Sequence, residues 1–157
     1  MSGAGVPDTQ ALAERFRVTD VDISSEQIRR ARENVPSAEF IKGDFTSLDL
    51  QPDSFEGVAA FHSFNHVPRD LLAHVFTRVH SWLTPGRLFL TALGTSDSES
   101  WTGKWLGTTM FFSSFPPETN RRLLREAGFE FVLDEVVTFL EPEPDGEATF
   151  QWVLARR

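Results

Sequence analysis

A small set of residues carries the polar chemistry of this chain, and their order along it is informative. Gly3-Ala4-Gly5 precedes a helix-forming segment, and a turn with few side chains lets backbone amides approach a polar ligand at a helix N-terminus. Asp22 closes the strand-like run that follows, where an acidic side chain commonly accepts hydrogen bonds from ribose hydroxyls. Its structural alternative is a carboxylate favoured by the dipole of the next helix. Asp44 closes a second such run; a carboxylate there can accept from an exocyclic amine while the Phe45 amide donates to a ring nitrogen. With the strand ending at Phe61, these residues stand in the order needed to line one nucleoside pocket.

His66 follows that strand and can take a proton from an oxygen or nitrogen nucleophile, because imidazole titrates near neutral pH. His62 and Asn65 share its neighbourhood, whereas His74 and His80 fall in an amphipathic segment and read as solvated or packing residues. No pair of histidines comes with a third ligand at metal spacing, so no metal is expected. Further along, Trp101, Trp105, Leu106, Met110, Phe111, Phe112 and Phe115 cluster among Gly103, Gly107 and small polar residues, outside any regular pattern. Long irregular stretches in compact domains are usually functional. This one reads as a lid-like insertion at about 95–116 over an apolar or cationic acceptor, with Asn65, Trp101, Trp105, Phe111 and Phe112 as candidate contacts. A satellite core beneath the loop is the alternative reading.

Composition narrows the partner. In 157 residues there are 15 Lys plus Arg against 23 Asp plus Glu, a formal charge of -8. That balance argues against nucleic acid or an anionic membrane surface, both of which select for clustered basic residues, and favours a neutral or cationic small molecule. The absence of Cys and Tyr excludes disulfides, a cysteine zinc site, a thiol nucleophile and a tyrosine acid. No run approaches the ~18 apolar residues of a membrane span and the first residues lack a signal-peptide pattern, so a cytoplasmic location is expected. The length fits a single domain over residues 1–157.

The elements that must position these residues alternate. Periodicity predicts a helix from Asp8 to Phe16, a strand from Arg17 to Ile23, and a helix to about Asn34 that starts with a reciprocal capping box of Ser24 and Gln27. Glu39-Phe40-Ile41 forms a short strand, and Gly57 to Phe61 is apolar enough for a buried parallel one. Leu72, Val75, Phe76, Val79, Trp82 and Leu83 define a helix after Pro68. Then come a buried strand from Leu88 to Leu93, a helix from Pro116 to Gly128, and strands from Phe129 to Phe139 and Ala148 to Ala155 around an acidic turn without chemistry, Glu141 to Glu147. The alternation means an α/β fold, a Rossmann-like doubly wound and mostly parallel sheet with a C-terminal antiparallel hairpin, and such sheets bind ligands at the carboxyl ends of their strands.

On these residues the chain from Gly3 to Arg157 resembles a class I S-adenosylmethionine-dependent methyltransferase of the bacterial small-molecule type. The matching segments are Gly3-Ala4-Gly5, Val21-Asp22-Ile23-Ser24 with Ala31-Arg32, Gly43-Asp44-Phe45, Asp53 to Val58, Asn65-His66-Val67 and Leu83-Thr84-Pro85-Gly86. The resemblance implies methyl transfer to a small-molecule acceptor, S-adenosylmethionine as cofactor, and a strand order of 3-2-1-4-5-7-6. It places Gly3, Ala4 and Gly5 along the methionine part, Asp22 and Ile23 at the ribose, Asp44 and Phe45 at the adenine, and Phe61 nearby, with His66 as an optional base.

Three departures stand out. The family's glycine loop follows a central strand of ~5 residues, whereas only Met1 and Ser2 precede Gly3. The expectation is therefore an N-terminally truncated domain whose first central strand is missing, leaving sheet edges open to self-association. Asp20 occupies a position where the family has a small residue, and Arg87 replaces the second glycine of a Pro-Gly-Gly turn. Two alternatives accompany the methyltransferase reading: a non-catalytic module of the same fold that pairs through its sheet edges, and a nicotinamide dehydrogenase, which shares a glycine turn followed by an acid.

Overall fold

The structure is a computed structural model that describes residues 5–105, 108–140 and 146–157. They form two compact units, Met1–Asp49 and Leu50–Arg157. Gly3 and Ala4 of the glycine turn lie outside the described residues, and Gly5 adopts a left-handed φ of +81°.

In the first unit α1 (Asp8–Ala13) stops short of the predicted Phe16. Leu12 and Phe16 remain exposed, so the apolar side that would sustain a longer helix gains little burial. β1 (Thr19–Asp22), α2 (Ser25–Asn34) and β2 (Glu39–Lys42) follow, and β1 pairs with β2 in parallel, Asp22 opposite Lys42. α2 buries Ile28 and Ala31, three positions apart on one face. Only half of the predicted capping box forms. Ser24 Oγ accepts from the Gln27 amide at 3.3 Å, but the Ser24 amide donates to Asp22 Oδ1 at 2.7 Å, taking the place of the expected Gln27 return bond. Asp20 accepts from the Thr9 hydroxyl at 2.7 Å, which occupies one oxygen of the carboxylate that departs from the family pattern.

The second unit begins with β3 (Phe55–Phe61) and a 3-10 turn (Ser63–His66), then α3 (Arg69–Trp82) and β4 (Leu83–Gly94). α3 presents Leu72, Val75, Phe76, Val79 and Trp82 to a core shared with Phe89, Ala92, Leu124, Phe129 and Val153. Each large side chain fully buried there contributes about 1.5–3 kcal/mol of transfer free energy. The aromatic stretch expected to be an irregular insertion is instead a hairpin of β5 (Ser98–Trp105) and β6 (Thr108–Ser114), Trp101 opposite Phe112. α4 (Pro117–Glu126), β7 (Glu130–Leu140) and β8 (Glu147–Arg156) complete the unit.

The main sheet of this unit has the order β3-β4-β8-β7, parallel between β3 and β4 and antiparallel elsewhere. With the β2-β1 pair, these are the 3-2 and 4-5-7-6 segments of the implied strand order. Among the described residues β1 pairs only with β2, and β3 only with β4 on that side of its sheet. The prediction of a buried third strand is corrected accordingly: Gly57 and Ala59 are exposed and no β3 residue is fully buried, because one edge of β3 is unpaired within its sheet.

Candidate functional site

In the first unit two carboxylates emerge at the same end of a parallel strand pair. Asp22 is the last residue of β1, and Asp44 follows β2 after Gly43, whose amide donates to the Asp22 carbonyl at 3.1 Å. Each acid has one oxygen engaged locally: Asp22 Oδ1 by the Ser24 amide, and Asp44 Oδ1 by the amide and hydroxyl of Thr46 at 2.9 and 2.7 Å. The second oxygen of each makes no hydrogen bond among the described residues. A carboxylate fixed through one oxygen and open at the other is a preorganised acceptor for hydroxyl or amine donors. Ile23 beside it is exposed, and Phe45 follows Asp44 in a half-buried turn. A hollow of about 370 Å³ beside α2, lined by Ser25, Ile28, Arg32 and Lys42 among others, includes neither acid.

In the second unit a cleft of about 320 Å³ is lined by Asn65, Gly94 at the end of β4 with Thr95 and Ser96 after it, Trp101, the Phe112–Ser114 end of β6, and Glu147, Thr149 and Phe150 of β8. Of the predicted acceptor contacts, Asn65, Trp101 and Phe112 line it; Phe111 and the predicted base His66 are not among its lining residues. Trp105 lies in β5. Phe61, at the end of β3, packs against Trp152 with ring centroids 5.8 Å apart.

His66 Nδ1 lies 2.8 Å from the Phe111 carbonyl and its ring packs on Phe112 at 4.9 Å. A carbonyl only accepts, so Nδ1 carries the proton and Nε2 of the neutral ring keeps its lone pair. Three further bonds tie β6 to the segment after the 3-10 turn: Ser113 Oγ donates to the Val67 carbonyl at 2.5 Å, and Arg69 donates to the Ser114 carbonyl through Nε at 2.9 Å and through Nη2.

Asn65 Oδ1 accepts from the Gly94 amide at 2.8 Å. On its other side, the Gly94 carbonyl accepts from Asn120 Nδ2 at 3.0 Å. Asn120 also donates to Gln151 Oε1 at 3.1 Å, and Gln151 Nε2 donates to Asp134 at 2.7 Å, where Arg121 forms an ion pair. A buried polar chain thus runs from an ion pair to the cleft wall. Gly94 is required by space: a Cβ there would lie 2.7 Å from Ser114 Cβ and 2.9 Å from Asn65 Oδ1. Gly94→Ala should therefore cost about 1–3 kcal/mol in denaturant titrations, the range for overpacking a filled site.

Sequence reasoning missed Gly94 to Ser96, Ser113, Ser114, Thr149 and Phe150, which carry no motif, and it read Glu147 as part of a turn without chemistry although it lines the cleft. The one available signal was the turn residue Gly94 ending an apolar strand. No group of three or more His, Asp or Glu able to hold a metal occurs among the described residues.

Asp22 and Asp44 thus stand at the carboxyl end of adjacent parallel strands, the end at which open α/β sheets place their ligands. Residues 2–86 match the methyltransferase domain family, and the chain belongs to it. Over 50 residues it is 36% identical to the sterol 24-C-methyltransferase of Candida albicans, a match spanning 32% of this chain and 13% of that enzyme. A S-adenosylmethionine-dependent methyltransferase from Methanosarcina mazei shares its fold with a TM-score of 0.85 at 19% identity, covering 99% of this chain and 88% of the other. So does 1,6-didemethyltoxoflavin-N1-methyltransferase from Burkholderia thailandensis, with bound 1,6-didemethyltoxoflavin and S-adenosylhomocysteine, with a TM-score of 0.73 at 24% identity over 99% of this chain and 68% of that one.

Proposed function

We propose that the protein transfers a methyl group from S-adenosylmethionine to a small-molecule acceptor. The observation that carries this reading is the pair of half-engaged carboxylates, Asp22 and Asp44, at one end of a parallel strand pair within the segment that matches the methyltransferase family. Their open oxygens suit the donors of an adenosine: ribose hydroxyls for Asp22 and the exocyclic amine for Asp44. When bound, the cofactor supplies a methyl carbon on a sulfonium, which departs with its bonding pair left on sulfur.

The protein's own contribution is alignment and exclusion of water. The cleft holds the acceptor, with Asn65, Trp101 and Phe112 as contacts. His66, its tautomer set by the Phe111 carbonyl, takes at Nε2 the proton that an oxygen or nitrogen acceptor loses as its new bond to carbon forms. Support for a small acceptor comes from the modest volume of the cleft and from the Burkholderia neighbour, which was solved with a small molecule bound. No described helix is long and apolar enough to cross a membrane.

His66→Phe should reduce kcat by about 100-fold for a hydroxyl or amine acceptor while leaving S-adenosylhomocysteine affinity unchanged, the loss characteristic of a general base. Steady-state assays paired with calorimetric titration check it. Unchanged kcat would remove His66 from the mechanism and leave alignment as the sole contribution. Transfer of label from methyl-labelled S-adenosylmethionine into a panel of small acceptors tests the function as a whole.

A further inference from the structure

We propose that the cleft of the second unit selects a planar, conjugated acceptor bearing a cationic nitrogen, stacked on Trp101 and recognised by Glu147. The proposal rests on the reading of this cleft as the acceptor site and names the chemical class that site takes.

Planarity follows from the state of Trp101. Phe112 stacks on one indole face, with centroids 4.6 Å apart and planes 14° from parallel. The benzo edge lies over Gly103, where even a Cβ would overlap it. Trp101 nevertheless stays 51% exposed while lining the cleft, so its second face is a flat apolar surface offered to a ligand. A ring placed there extends the existing stack, an arrangement worth more than its buried area alone.

Charge selection follows from the ionisable groups around the cleft. Glu147 is the only charged residue lining it among the described residues. The neighbouring cation, Arg69, is occupied: Nη2 lies 2.5 Å from Asp97, Nε donates to the Ser114 carbonyl, and the guanidinium sits 4.3 Å over the Phe115 ring. An anionic acceptor would meet a carboxylate with no cation to offset it among the described residues that line the cleft. A cationic one gains Glu147 and the ring quadrupole of Trp101 together. Asn65 adds orientation: its oxygen is held by the Gly94 amide, so its NH₂ remains as the donor for a lone pair on the acceptor.

The test uses benzamidinium, benzoate and cyclohexylammonium as probes, which separate planarity from charge at nearly constant size. Binding to the folded chain is followed by calorimetric titration, with S-adenosylhomocysteine titrated in a parallel sample. Benzamidinium should bind at least about tenfold more tightly than either other probe, since it gains both the stack and the charge pairing. Glu147→Gln should collapse its advantage over benzoate, and Trp101→Leu its advantage over cyclohexylammonium. Benzoate binding as well as benzamidinium, or a preference unmoved by Glu147→Gln, would overturn the proposal. If S-adenosylhomocysteine binds and benzamidinium shows no preference, only this inference fails. If the preference holds and S-adenosylhomocysteine does not bind, the methyl-transfer reading fails and the ligand class of the cleft stands.

Discussion

Asp22→Ala is expected to lower affinity for S-adenosylhomocysteine by about 100-fold, because hydrogen bonds to a charged acceptor contribute about 1.5–3 kcal/mol. The same substitution removes the oxygen that holds the Ser24 amide at 2.7 Å, so α2 loses part of its N-terminal cap. That second loss should appear as about 1 kcal/mol in urea unfolding. Asp22→Asn separates the two roles. Its amide oxygen can still accept from Ser24, leaving stability nearly unchanged, while the open position becomes a donor facing ligand hydroxyls and affinity still falls. Calorimetric titration beside urea unfolding reads both quantities. Full affinity in Asp22→Asn would remove the charge of Asp22 from cofactor recognition.

The dual role of Asp22 also shows where sequence reading succeeds and where it stops. A helix after Ser24 was legible because Ser24, Ile28 and Ala31 carry local signals, a hydroxyl cap and apolar spacing. The return bond was not, because whether Gln27 or Asp22 takes the Ser24 amide depends on the path of the chain leaving β1. α3 was legible for the same local reason, its five buried residues repeating at helical intervals. The β5–β6 hairpin was not. Trp101 and Phe112 belong together only through cross-strand pairing, and Gly103 among the aromatics reads as a break rather than as room for an indole. Asn65, Trp101 and Phe112, which the sequence offers as acceptor contacts, line the cleft, whereas Gly94, Ser114 and Glu147 reach it from strands whose sequence gives no sign of it.

The second large effect concerns Asn120, which is 2% exposed and joins the cleft wall to Gln151, itself fully buried. Leucine at this position nearly matches the volume but leaves the Gly94 carbonyl and Gln151 Oε1 without this donor. Each buried polar atom left unsatisfied costs about 1–3 kcal/mol, so Asn120→Leu should destabilise the fold by about 3 kcal/mol or more. Gly94 then loses one of its two side-chain tethers, and acceptor binding should weaken with it. Denaturant unfolding reads the first effect and probe titration the second; a change below about 1 kcal/mol would mean that the polar chain does not act as a unit.

At the far end of this chain, burial raises the Asp134 pKa but hydrogen bonds from Arg121 and Gln151 outweigh it, leaving it below the ordinary 3.8. A carboxyl whose folded pKa lies below its unfolded one stabilises the fold above the unfolded value and loses that contribution as pH falls through the folded one. Asp134→Asn should flatten acid unfolding in the range below about pH 4, read from urea midpoints along a pH series. An unchanged slope would assign the acid sensitivity to other carboxylates.

Amide-resolved NMR during titration with S-adenosylhomocysteine addresses the central claim most directly, because it needs no knowledge of the acceptor. The account predicts saturable shifts concentrated at Asp22, Ile23 and Ser24 and at Asp44 and Phe45, with Asp22→Ala moving their saturation to about 100-fold higher ligand in a chain that remains folded. Absence of any shift in these residues, or shifts confined to Ile28, Arg29, Arg32 and Glu33 of α2, would contradict it.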